Sequence, residues 1–137
     1  MDISTRQATG IAALRFIVGV VFLVHGSQKL FVFHFAGVTA FFTQGGIPLP
    51  AVSAVVVTLV EFLGGLALVL GLGTRWAALL LAIDMLGAIV FVHGKNGFFL
   101  PTGFEYALTL LVANLALVIA GAGRCALDNL LSKPKAA

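Results

Sequence analysis

Charge is what this chain has least of. Of its 137 residues only 9% are charged, eight basic and five acidic, against about 25% in an ordinary soluble domain. So little charge, beside 61% hydrophobic residues and a mean hydropathy of +1.14, excludes a soluble globular domain. It indicates a membrane protein with nearly its whole length in or at the bilayer, which leaves 1–137 as a single domain. Cysteine is scarce too: Cys125 stands alone, so neither an internal disulfide nor a CxxC redox pair can form. The net charge of +3 is too small and too scattered for a nucleic-acid partner. The chain also lacks a nucleophile paired with a base, a phosphate-binding loop, a zinc or other metal site, and any repeat of about 20 to 50 residues. Gly71 to Arg75, GLGTR, reads as a helix connection and not as a dinucleotide fingerprint. No catalytic residue is therefore assigned.

What is present is a series of apolar runs long enough to span a bilayer. They predict an all-α, polytopic four-helix bundle with spans near 11–33, 51–72, 76–92 and 104–120. Between the first two, Phe35, Val38, Phe41 and Phe42 followed by GGIPLP predict a short amphipathic helix at the interface, closed by a turn. Arg6 ahead of an apolar run imitates a signal peptide, but no small-residue cleavage site follows, so the first helix is expected to be retained. With four spans, Arg6, Arg15, Arg75, Arg124, Lys133 and Lys135 fall on one side and Lys29 and Lys95 on the other. That asymmetry predicts cytoplasmic termini.

The first span organises the rest. At about 100° per residue, Arg15, Gly19, Phe22, Gly26 and Lys29 share one stripe with His25 beside it, while Ile17, Val20, Val24 and Phe31 face lipid. Ionisable groups in hydrocarbon face a protein interior or a wet cavity, so this stripe needs partners from other helices. Glu61 supplies one, on a face with Gly64, Gly65 and Leu68; Asp84 supplies another, in a stripe with Ala77, Leu81, Gly87 and Phe91. Glu105 opens the fourth helix. Two tiers result: Arg15 with Glu61 or Asp84 toward the cytoplasm, and His25, Gln28, Lys29 and Glu105 toward the outside, with His93 close by. Arg15, Gln28, Glu61, Asp84 and Glu105 make up the expected buried polar network. Such groups can serve helix registry alone, with Lys29 and Lys95 snorkelling.

His25 is the better functional candidate, because an imidazole on a polar face can shuttle protons or bond a quinone carbonyl. Together with Lys29, Glu61 and His93 it would line a small-molecule pocket under a Phe-rich cover, suited to a quinone or a similar lipophilic compound. A bis-histidine haem is disfavoured. His93 lies nine residues after Asp84, and a continuous helix would turn it about 180° from that stripe. The alternative function is a non-catalytic assembly or trafficking partner, or a small-solute transporter. In the fourth helix, Glu105, Thr109, Val112 and Ala116 are expected to face the bundle. Ala107, Asn114 and Gly121 would then lie on the lipid side, where Asn114 either pairs across a homodimer or bonds within its own bundle.

The motifs resemble the DoxX family of small four-helix membrane proteins over almost the whole chain. The resemblance rests on Leu14 and Arg15, HGSQKLF from His25 to Phe31, GGIPLP, EFLGGLALVLGLGTRWAAL from Glu61 to Leu79, HGKNGFF from His93 to Phe99, and GFEY from Gly103 to Tyr106. It is their order and spacing together that make it specific. Arg15, His25, Lys29, Glu61, Thr74, Arg75, His93 and Glu105 match the family's polar positions, while Asp84 departs from the apolar residue more usual there. The resemblance implies a multi-pass protein of the bacterial inner membrane, some of whose relatives look like subunits of quinone-linked oxidoreductases or partners of soluble redox enzymes. It transfers architecture more firmly than chemistry.

Overall fold

The computed structural model describes residues 3–132, and Lys133 and Lys135, part of the basic count that orients the chain, lie outside them. Within that range the chain is all-helical. Helix α1 spans Ile3–Ser27, starting well before position 11, and runs into a π-helical turn, Gln28–Phe33. His34, with φ 56° and ψ 169°, breaks the regular geometry between that turn and α2, His34–Gln44. Then come α3, Pro50–Leu70, α4, Thr74–Ala88, a second π-helical turn, Ile89–His93, and a single 3₁₀ turn, Gly94–Asn96. Helix α5, Glu105–Ala120, and the short α6, Leu127–Leu131, complete the chain.

Among the described residues, three helical stretches are long and apolar enough to cross a membrane: 4–44, Pro50–Leu70 and 74–96. Helix α5 is apolar but only 16 residues long. Large hydrophobic side chains are exposed all around the bundle, Trp76 at 75% and Ile119 at 78% among them. Only lipid makes such a surface stable, and the protein is a membrane protein.

The bundle is built from two tight pairs, α1 on α3 and α4 on α5, joined through α3 against α4. Glycine sets the first pairing. A Cβ on Gly26 would collide with the backbone of Phe62, and one on Gly65 with the backbone of Leu23, so the two helices touch main chain to main chain. The core then fills with Val18, Phe22, Leu68, Ala78, Leu81 and Leu117. Arg15, Gly19, Phe22 and Gly26 are all buried and Lys29 is half-buried, while Ile17, Val24 and Phe31 are exposed, as the spacing in α1 predicts. Helix α2 buries Val38 and Phe42 around Ala54 of α3.

The phase of α5 is the reverse of the sequence expectation. Ala107, Leu110, Asn114, Leu117 and Gly121 are buried against the bundle, whereas Thr109, Val112 and Ala116 are exposed. A wholly buried Asn114 escapes lipid without a second copy, its Nδ2 donating to Leu110 O at 2.9 Å. The small Ala107 and Gly121 let α5 approach its own bundle instead of a dimer partner. The homodimer through this face is therefore withdrawn.

Candidate functional site

The polar side chains fall into separate groups along the bundle, and the division differs from the expected tiers. At the end formed by the α3–α4 connection, Arg15 is 3% exposed and meets no carboxylate directly among the described residues. Its guanidinium is instead wrapped in carbonyl oxygens: Nε donates to Ala122 O at 2.8 Å, Nη1 to Leu68 O at 2.6 Å and Val69 O at 3.1 Å, and Nη2 to Arg124 O at 3.2 Å and Cys125 O at 3.1 Å. Five donors thus find five acceptors. Leu68 and Val69 belong to the last turn of α3, whose carbonyls lack i+4 partners within the helix and carry the negative end of its dipole; Leu68 O also accepts the N–H of Gly71 at 3.2 Å. That site solvates the cation more completely than one carboxylate could, which is why the pairing of Arg15 with Glu61 or Asp84 does not form. Gly71 closes α3 at φ 69°, and a Cβ there would strike both Ala126 and Arg15.

Asp128 of α6 completes this end. Its carboxylate accepts the N–H of Gly73 at 2.7 Å and of Thr74 at 2.9 Å, capping α4 from a distant part of the chain. Burial pushes its pKa up, but those two N–H groups and the nearby Arg15 charge outweigh that and hold it below the ordinary carboxylate value. Sequence reading missed this residue, because nothing local to α6 signals a cap on another helix.

Farther along the bundle, beside the middle of α3, Lys29 Nζ lies 2.6 Å from Glu61 Oε2, with the Glu61 side chain only 6% exposed. Asp84 sits within electrostatic reach of both, and no donor reaches its Oδ2 among the described residues. These three groups line a cavity of about 590 Å³ that also receives His25, His93 and Tyr106. Apolar side chains of α2, α3, α4 and the π-helical turn after α4 form most of its wall, Phe41, Val56, Ile83 and Phe91 among them.

Both histidines are fixed through the same ring atom. His25 Nδ1 donates to Val21 O at 2.8 Å, and His93 Nδ1 donates to Thr102 O at 3.1 Å, since a carbonyl can only accept. The His25 ring lies 6.3 Å from that of Tyr106. His93 reaches the same cavity as Asp84, although a continuous α-helix would turn it away. The π-helical turn Ile89–His93 supplies the difference, because its i→i+5 bonding puts an extra residue in the turn and shifts the phase. Lys29 sits on the other π-helical turn.

The remaining members of the expected network lie elsewhere. Gln28 is exposed and does not line the cavity. Glu105 Oε1 accepts the N–H of Leu100 at 2.7 Å, tying down the loop before α5. The network thus resolves into a carbonyl cage around Arg15, a loop tie at Glu105, and a cavity cluster of Lys29, Glu61 and Asp84.

Residues 10–94 match the DoxX family model. A Haemophilus influenzae protein described as uncharacterized is 38% identical over 87% of this chain and 88% of its own length. A Bacillus subtilis protein named "Putative oxidoreductase CatD" is 37% identical over 92% of this chain and 90% of its own. A Mycobacterium tuberculosis protein described as an uncharacterized membrane protein is 36% identical over 90% and 82% respectively. No solved structure matches the chain.

Proposed function

The chain belongs to the DoxX family, and we propose that it serves as a membrane accessory component of a redox system whose cavity takes a quinone or a similar lipophilic small molecule. The observation that carries this reading is the gathering of His25, Lys29, Glu61 and His93, with Asp84 and Tyr106, at one mostly apolar cavity of about 590 Å³. Sites for small apolar ligands have this composition: a hydrophobic wall with a few convergent polar groups, and a volume in the range of roughly 300 to 1,000 Å³. The oxidoreductase name of the B. subtilis relative supports a redox setting, in which the protein would work beside a soluble or membrane-bound redox enzyme.

The proposed setting is the bacterial inner membrane, with α1, α3, α4 and α5 as four spans, α2 at the outer interface and both termini cytoplasmic. The packing of α5 along α4 supports the fourth span, although 16 residues rise only about 24 Å against a hydrocarbon core of about 30 Å. In this orientation the Arg15 and Asp128 end is cytoplasmic and the cavity opens near the outer leaflet.

Protein purified from native membranes should retain quinone in its lipid extract, and short-chain ubiquinone or menaquinone analogues should raise its melting temperature. His25→Ala should abolish that rise while leaving the melting temperature of the free protein unchanged. An extract free of quinone, together with no thermal response to either analogue, would sink the reading.

A further inference from the structure

A quinone carries only hydrogen-bond acceptors on its ring oxygens, whereas the reduced quinol carries two hydroxyl donors. The polar groups of the cavity are therefore informative as donors and acceptors. Lys29 is the strongest donor, and one of its three N–H groups goes to Glu61 at 2.6 Å. Each histidine uses its Nδ1–H on a backbone carbonyl, which leaves Nε2 of the neutral ring as an acceptor. Asp84 brings a carboxyl whose Oδ2 receives no hydrogen bond among the described residues. A carboxyl oxygen accepts when ionised, and goes on accepting if its sister oxygen bears a proton shared with Glu61. Tyr106 can play either part.

We infer that this cavity discriminates by redox state, binding the hydroxyl-bearing quinol in preference to the quinone, with Asp84 as the specificity-determining acceptor of a ring hydroxyl. The inference rests on the quinone-type ligand proposed above and deepens it. A quinone carbonyl placed at Asp84 Oδ2 or at either Nε2 would face an acceptor and leave both unpaired, whereas a quinol hydroxyl at that position pairs. Sites built to pair with a ligand O–H reject the analogue that lacks it far more strongly than apolar pockets reject a change of shape. Because the claim concerns binding alone, it requires no electron acceptor in the site.

The test uses full-length protein in lipid nanodiscs, with decylubiquinol held reduced under argon and decylubiquinone as the two probes. Wild type should bind the quinol at least about tenfold more tightly, and a redox titration of the bound couple should show a midpoint raised by about 30 mV for each factor of ten. Asp84→Asn, which adds a donor in place of an acceptor, should shrink the preference to within about threefold by weakening quinol binding and not quinone binding. Equal affinities in wild type, or tighter binding of the quinone, would overturn the inference and leave the ligand class standing. Binding of neither probe would overturn the ligand class as well. A preference undiminished in Asp84→Asn would remove Asp84 from the role, and an unraised midpoint in wild type would do so for the whole site even if the variant failed to fold.

Discussion

Lys29 of the first π-helical turn and Glu61 of α3 meet at 2.6 Å, and the lysine thereby answers one of two neighbouring carboxyl groups in an apolar bundle. Removing the cation leaves Glu61 and Asp84 facing each other without it. Lys29→Met should cost about 3 kcal/mol or more, as breakage of buried pairs does. Adding Glu61→Gln to that variant should recover a large part of the loss. Unfolding in mixed detergent micelles, followed by circular dichroism in a double-mutant cycle, measures both changes.

Arg15 should behave as an independent unit. Its five bonds go to backbone carbonyls of α3 and of the segment after α5, so no side-chain substitution can release them all from the far side. Arg15→Lys offers three donors on a point charge in place of a planar fork, and should destabilise by about 2 kcal/mol or more. In a cycle with Glu61→Gln the coupling should stay within about 0.5 kcal/mol, as for distant sites. A coupling several times larger would mean that arginine and glutamate act as a pair after all.

The Asp128 cap gives a pH dependence with a defined sign. Its folded-state pKa lies below the ordinary value near 3.9, so its contribution is complete above that value and is lost as pH falls through the lower, folded-state pKa. The melting temperature of wild type should therefore drop more steeply below about pH 4 than that of Asp128→Asn, which lacks this titration. At pH 7 the variant should be the less stable by about 1 kcal/mol, the usual worth of a cap.

Backbone contact between α1 and α3 leaves no room for larger side chains. Gly26→Val or Gly65→Val must push the helices apart and so should reduce stability by about 2 kcal/mol or more, with a matching fall in the folded fraction on size-exclusion chromatography. Gly87→Val is the control. A Cβ on Gly87 has nothing within 4 Å, and the substitution should cost little.

How much of this was legible before the structure depends on whether the information is local. The α1 stripe was readable, because Arg15, Gly19, Phe22 and Gly26 lie on one regular helix and periodicity carries straight to burial. The same argument failed in α5. There the stripe of Glu105, Thr109, Val112 and Ala116 predicts the inner face, yet Glu105 bonds the loop N–H of Leu100, and the true inner face is marked by the small Ala107 and the amide Asn114. His93 is legible as a pocket residue, but its side of the helix relative to Asp84 is not: a π-helical turn changes the phase, and no composition rule announces one. Arg15 was expected to seek a carboxylate because side chains are what a sequence displays. The carbonyls at the end of α3 belong to the backbone, and become visible as partners only once the fold brings residues 122–125 back beside them.

Photolabelling tests the central claim, that the cavity is a ligand site, most directly. An azido derivative of a short-chain ubiquinone, irradiated with the protein in nanodiscs and mapped by mass spectrometry, should label cavity residues such as His25, Tyr106 or Phe91, and an excess of unlabelled quinone should suppress that labelling. Labels confined to lipid-facing side chains such as Ile17 or Ile119, insensitive to competition, would contradict the account.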